Sequence, residues 1–559
     1  GPDAALERLA DEIDGMRLQL RAELRAASDG KYPKPGPGDG RRGRSGELGR
    51  AMRALGGLGA AFFGVNPVHA LGAAHGGHSP YSPTHRVFLD PAIARVPDHD
   101  PVAVPPAPDT LIDHAAARAA HDDAMRRAFF GAMAGQGGPD APLGPAALAA
   151  FRARHGPALE AFALFEALSL DFGADWRAWP TGFEAPDTPA AAAFAARRGD
   201  EVTYHAWLQL AAETALAEAQ AAARAGGMAL GLYTDLAVGV RPDGAEIWAE
   251  PGVFARGVSL GAPPDMFSPD GQSWGLAPFA PPGLAAAGYA PFVAMLRAAM
   301  RHAGLVRIDH VLGLERTFWV PEDGTPGGYV RAEREVLLAI LRVEAVRHGC
   351  GVVGEDLGVV PEGLREALDG AGIFGCSVAM YEHWEGRLRA PWHYRPATLA
   401  SFGTHDTPTL AGWWRGHDIG WREHIGHTAA AEAEAMRAAR WRDRATLMAL
   451  MAEAGVLPPG YDPANPPWEV DDALIAAVHA LLARAASALV AVQLDDALGT
   501  LEQANIPGTI DEHPNWRRRH AAAAEALGDH PLLRQIAKLM RDAGRVPVRE
   551  IAEPAAGRG

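Results

Sequence analysis

The chain has 559 residues, 48% of them hydrophobic and 21% charged, with a formal net charge of −16. That charge argues against a nucleic-acid surface or an anionic membrane as partner, whereas a neutral substrate makes no demand on it. A minimal β/α barrel needs about 250 residues, so a barrel of this length would carry large insertions.

Residues 1–30 space Leu6, Leu9, Ile13, Leu18 and Leu20 as a helix would, and Lys31 to Arg44 is rich in Pro, Gly and Arg, so 1–45 read as a helical segment and linker. Residues 46–545 read as one catalytic unit, followed by a tail at 546–559. An early strand and a loop around Tyr81 fall within 50–90. From about 100 to 225 the chain is mostly helical, which is too long for one crossover and predicts an inserted helical subdomain. Strand-like runs follow at 228–233, 304–308, 351–354, 376–381, 399–403 and 488–494, with a helix over Arg334 to Arg347 and a second helical insertion at about 415–485. Strands alternating with helices predict a parallel sheet whose strand tips share one face.

Three of those runs end on acids: Arg307-Ile308-Asp309-His310, Gly354-Glu355-Asp356 and Gly403-Thr404-His405-Asp406. A carboxylate at the tip of a buried strand is poorly placed for stability and well placed for chemistry. A lone acid there is as readily a helix cap or a partner for an arginine; three together, each beside Arg, Asp or His, point to one shared site. Paired carboxyl groups open glycosidic bonds, one attacking the anomeric carbon and one protonating the departing oxygen, and a third can oppose the oxocarbenium charge.

These segments resemble the signature blocks of the 4-α-glucanotransferases known as amylomaltases or disproportionating enzymes, a glycoside hydrolase family related to the α-amylases. The likeness extends to Phe63-Gly64-Val65-Asn66-Pro67, Ser79-Pro80-Tyr81-Ser82-Pro83, Gly231-Leu232-Tyr233-Thr234-Asp235, Ser268 to Gly275, and Asn505-Ile506-Pro507-Gly508-Thr509 with Glu512 to Arg517, covering about 60–520. It implies an α/β fold, a (β/α)8 TIM barrel with large helical insertions. Asp309 would be the nucleophile, Glu355 the general acid/base and Asp406 the transition-state stabiliser. Ser79, Tyr81, Asp235, Gln272, Trp274, Arg307, His310, Asp356, His405 and Asn505 are the candidate sugar contacts. Arg307, two positions before Asp309, would keep that carboxylate ionised, while Glu355 needs a pKa near working pH. Asp235 reads equally well as an ion-pair partner of Arg307. The loop from Gly261 to Gly275 would shield the intermediate and stack an acceptor through Trp274.

The family's first strand usually ends in a Trp-Gly-x-Gly-Asp turn, which residues 1–58 lack. Either Met16 to Leu24 supplies a degenerate strand, or the N-terminus is divergent or truncated; the extra N-terminal domain of larger members is also not recognisable. Cys350 and Cys376 are the only cysteines and read as buried free thiols. Zinc, Walker and dinucleotide motifs are missing, so no metal or cofactor is expected. With no secretory leader and no long apolar run, the expected place is the cytoplasm. The expected activity is transfer of an α-1,4-glucan segment from maltooligosaccharides, amylose or glycogen-derived glucans to another glucan or glucose. The alternatives are an α-amylase-like hydrolase and a non-catalytic glucan-binding protein.

Overall fold

Short runs of Val, Leu, Ile and Gly build the wall of the fold. The computed structural model describes residues 46–95, 111–139, 141–264, 271–520 and 522–545. The N-terminal helix and linker, the candidate strand at Met16 to Leu24 and the C-terminal tail lie outside the described residues. Among the described residues seven parallel strands follow one another: β1 (Phe62–Gly64), β2 (Gly231–Leu236), β3 (Leu305–Ile308), β4 (Gly351–Gly354), β5 (Gly375–Val378), β6 (Thr398–Ser401) and β7 (Leu489–Val490). Ladders join β1 through β4 in order and β5 through β7 in order, and a bridge from Val353 to Phe374 links the two arcs. Among the described residues no ladder joins β7 to β1.

The strands are apolar because both faces are covered: Leu305, Val306, Val352 and Val353 are all at most 3% exposed. Helices such as Arg334–His348, whose Leu337, Leu338, Ile340 and Leu341 are buried, cover the outside of the wall. Where the chain enters β3, a side chain on Gly304 would meet the Leu230 carbonyl at 1.9 Å, so only glycine fits there.

Between β1 and β2 the chain forms a hairpin of His69–Ala70 with His85–Leu89, then helices His114–Met133, Pro145–Phe172, Pro189–Arg197 and Gly199–Ala225. These helices share a core of Phe129, Phe162, Phe165, Trp179 and Trp207. Between β6 and β7 lie four more helices, the longest Ala430–Glu453.

Two antiparallel elements go beyond the sequence-based expectation. One is a four-stranded sheet in the order Gln272–Ser273, Val258–Ala262, Arg316–Pro321, Gly328–Arg331; the other is a hairpin of His383–Trp384 with Arg387–Leu388. Both sit on loops beyond strand tips, and their half-exposed strands lack a clean alternation of apolar and polar residues.

Trp207 is fully buried, and its indole N–H donates to the Leu143 carbonyl at 2.8 Å. Replacing it leaves a cavity and an unpaired carbonyl, so Trp207→Ala should cost roughly 3–5 kcal/mol. A urea midpoint unchanged from that of the parent would show that this helical core contributes little.

Candidate active site

The parallel register decides which side chains meet. Asp235 of β2 lies beside Arg307 of β3, and the backbone extends past both strands: Asp309 N donates to the Leu236 carbonyl at 3.1 Å and Glu355 N to the Ile308 carbonyl at 3.0 Å. Asp309 and Glu355 therefore leave adjacent tips on one face.

At the floor, Arg307 Nη1 lies 2.8 Å from Asp235 Oδ1, 2.9 Å from Asp235 Oδ2 and 2.9 Å from Asp309 Oδ1. One guanidinium nitrogen thus carries two carboxylates. Asp235 is 6% exposed, and its Oδ2 also accepts from Tyr81 Oη at 2.7 Å. Asp235 is thus placed as an ion-pair partner of Arg307, one of the two readings its sequence position offers.

Glu355 receives two backbone donors, His310 N on Oε2 at 3.0 Å and Leu357 N on Oε1 at 2.9 Å. The first is available because His310 adopts φ 47°, a left-handed conformation that costs a non-glycine residue about 1 kcal/mol or more. Burial nonetheless dominates and, with the Asp309 charge, pushes Glu355 up to about 7 against the opposing pull of Arg307 and the two amides. The side chain is therefore poised to exchange a proton near neutral pH.

Asp406 is held from two sides. Asn505 Nδ2 donates to Oδ1 at 2.7 Å, and His405 Nε2 sits 3.1 Å from Oδ2. Burial raises its pKa, but the His405 ring and the Asn505 amide more than offset this and hold it below the usual carboxylate range. The Tyr81 ring stacks on His405 with centroids 4.3 Å apart, and its oxygen lies 3.0 Å from His405 Nδ1. Since Tyr81 gives its proton to Asp235, its oxygen accepts from Nδ1; both imidazole nitrogens then donate, as in the protonated ring. Desolvation opposes that charge, and the Asp406 carboxylate overcomes it and raises His405.

The remaining candidates separate. Asp356 is fully buried: Arg365 and Arg395 reach Oδ2 at 3.0 and 2.9 Å, and Cys376 N donates to Oδ1 at 2.8 Å. With no exposed surface and both oxygens engaged, it holds the turn after β4 rather than lining the open cleft. Trp274 stands edge-on to His310 with centroids 5.3 Å apart, and its indole N–H donates to Gln272 Oε1 at 3.0 Å. Of the Gly261 to Gly275 loop, 261–264 and 271–275 are described. Ser79 is half-buried in the same loop as Tyr81. Cys350 and Cys376 are free thiols, and burial pushes each up to about 12.

Two aromatics escape the list of candidates. Trp516 lies over both Tyr81 and His405, with centroids 5.7 and 5.8 Å away. Tyr381, 59% exposed beyond the tip of β5, sits within electrostatic reach of Asp406 and Glu355. The Asn515-Trp516 pair after a Pro-Gly turn was a usable signal; Tyr381 had none. Among the described residues no group of three or more His, Cys, Asp or Glu is disposed to hold a metal ion, and no helix is long and apolar enough to cross a membrane.

A β/α barrel with large helical insertions, bearing a paired carboxylate beside a protonatable one at its strand tips, has the layout of a glycoside-active enzyme. The sequence matches the 4-alpha-glucanotransferase family, glycoside hydrolase family 77, over residues 35–523, and the chain belongs to that family. The 4-alpha-glucanotransferase of Mycobacterium tuberculosis strain H37Rv is 42% identical over 381 residues, 66% of this chain and 51% of that protein. That of Haemophilus influenzae is 34% identical over 369 residues, 64% and 53% of the two chains. The chain thus spans about half the length of these curated relatives. The crystal structure of the amylomaltase from Corynebacterium glutamicum superimposes with a TM-score of 0.76 at 30% identity, covering 88% of this chain and 71% of that one. An amylomaltase from Streptococcus agalactiae in complex with acarbose shares the fold at a TM-score of 0.70 and 17% identity, covering 90% and 97%.

The two opposing influences on Glu355 give a direct check. Its carboxyl band, identified by difference infrared spectroscopy against Glu355→Gln, should titrate near pH 7. Arg307→Met removes a positive neighbour and should move that midpoint upward; a downward move would mean that Arg307 does not act on Glu355 as its position implies.

Proposed function

We propose that this protein is a 4-α-glucanotransferase: it cleaves an α-1,4 bond of a maltooligosaccharide, amylose or glycogen-derived glucan and passes the segment to the 4-hydroxyl of another glucan or of glucose. The observation that carries the proposal is the pairing of Asp309, beside the Arg307 guanidinium at 2.9 Å, with Glu355, raised to about 7 on the adjacent tip. Family membership, the activity named for the relatives and the acarbose found in the Streptococcus agalactiae amylomaltase support the same reading.

In this mechanism the Asp309 carboxylate attacks the anomeric carbon while Glu355 gives its proton to the departing 4-oxygen. The products are a covalent glucosyl ester on Asp309 and a shortened glucan. Glu355, now ionised, takes the proton from an acceptor 4-hydroxyl, whose oxygen attacks the anomeric carbon and releases Asp309, with net retention. Asp406, kept anionic by His405 and Asn505, opposes the oxocarbenium charge of both transition states. Trp274 and the exposed Tyr381 ring offer apolar faces for sugar C–H groups, and His310, Gln272 and Ser79 are the candidate hydroxyl partners in this reading.

Incubation with maltotriose tests the activity. A ladder of longer oligomers plus glucose is expected; glucose and maltose alone would make the protein a hydrolase, and no change would leave a binding protein. Glu355→Gln should lower turnover by roughly 10²–10⁴-fold without unfolding the protein. A fluorinated glucosyl donor should label Asp309, and a label on Asp406 or Asp235 would move the nucleophile elsewhere. Because the first step needs Glu355 protonated, kcat/KM should decline as pH rises through about 7.

Transfer must also outrun water, which requires an acceptor held in a near-attack position. Trp274→Ala should raise the ratio of hydrolysis to transfer while leaving formation of the covalent intermediate intact. A fall in total activity at a fixed product ratio would assign Trp274 a purely structural part.

A further inference from the structure

The ring that covers Tyr81 and His405 belongs to a residue under backbone strain. Trp516 has φ 60°, a left-handed conformation that a bulky side chain adopts only when its surroundings enforce it. Two imidazoles stand at this turn. His78 Nε2 lies 3.0 Å from the Asn515 carbonyl and His114 Nε2 lies 2.9 Å from the Trp516 carbonyl. A carbonyl only accepts, so both Nε2 atoms carry protons and donate.

The two rings are also stacked on each other, with centroids 4.5 Å apart and an angle of 14° between planes. They come from different parts of the chain: His78 from the loop that ends at Tyr81, and His114 from the first position of the helix His114–Met133, capped by Asp113. Two further hydrogen bonds fix the same junction: Ile112 N donates to the Arg517 carbonyl at 2.7 Å, and the Arg517 side-chain Nε donates to the Ile112 carbonyl at 3.0 Å. Arg118, one turn into the helix, donates to the Gly72 and His75 carbonyls at 3.2 and 2.9 Å, tying down the start of the Tyr81 loop. The beginning of the helical insertion therefore grips both loops that roof the acids.

We propose that His78 and His114 are positioning residues of the reaction: by holding the Asn515 and Trp516 carbonyls they seat the Trp516 ring over Tyr81 and His405, and so keep His405 directed at Asp406. Neither imidazole touches the acids; each acts through Trp516. The inference rests on the glucanotransferase reading only in assigning Asp406 to that reaction.

The test uses variants that keep an aromatic face but lose the donor, His78→Phe and His114→Phe, beside His114→Gln, which keeps a donor. Loss of a single such hydrogen bond should lower kcat for maltotriose about tenfold in each Phe variant, with KM within about twofold. His114→Gln should recover most of kcat. In parallel, the His405 ring is titrated by NMR: contact with Asp406 raises its midpoint in the parent, so the midpoint should fall in both Phe variants.

Unchanged kcat and an unchanged His405 midpoint in the Phe variants would overturn the proposal. So would a loss of kcat and thermal stability together that His114→Gln fails to relieve, since that pattern belongs to general destabilisation. If the parent protein gives no ladder from maltotriose, the transferase reading falls by itself, and the His405 titration still decides whether the two imidazoles position the ring. Should a Phe variant fail to fold, the His78→Gln, His114→Gln double variant, with both donors kept, must retain the His405 midpoint for the proposal to stand.

Discussion

A single guanidinium nitrogen shared by two carboxylates organises this molecule. Arg307 lies largely covered beneath the site, where a charge needs partners, and Asp235 on the neighbouring strand and Asp309 just past the end of its own strand supply them. Asp235 in turn fixes the Tyr81 hydroxyl, which fixes the His405 ring, which faces Asp406. From one ion pair in the floor the hydrogen bonds climb without a break to the third acid. The same nitrogen supplies the positive charge beside Asp309.

The acids differ because their surroundings do. Asp309 has a cation at contact distance, Glu355 has mainly burial and a like charge, and Asp406 has a ring and an amide. The wall behind Glu355 is made stiff by Asp356, whose two arginine partners and one backbone donor allow the turn only one arrangement. His310 adds a strained peptide that turns its N–H toward Glu355. Strain and buried charge, both costly elsewhere, are concentrated within a few residues of the proposed chemistry.

Much of this was legible in the sequence, and for identifiable reasons. The strands after 228 announce themselves because a parallel strand buried on both faces is a compact apolar run, and the three acids are visible because they interrupt such runs at their ends. What the sequence does not display is direction. Glu355 and Asp356 are adjacent acids just past the end of β4, and only partners as distant as Arg395 separate the fully buried Asp356 from Glu355. Asp235 reads as support or contact from the sequence alone, and only the structure displays the partners of its two oxygens. Tyr381 and the 383–388 hairpin are invisible because an exposed aromatic on a loop carries no periodicity. His78 and His114 look like ordinary loop and helix-end residues, and their meeting depends on a turn some four hundred positions away.

That long reach has a consequence for how the protein is made. β1 finds its partner β2 only after the whole helical insertion has been synthesised, and at 5–20 residues per second residue 62 waits roughly ten to thirty seconds for residue 231. The insertion, rich in local helical contacts, has time to fold first and so stands ready as a platform when the later strands emerge. The Ile112 pairing with Arg517 spans 405 residues, so the roof over the acids can close only after nearly the whole described chain has been made. A nascent chain therefore carries the residues of β1 for some time before their partner strand has been made, so the order of the chain itself leaves that segment without its ladder during synthesis.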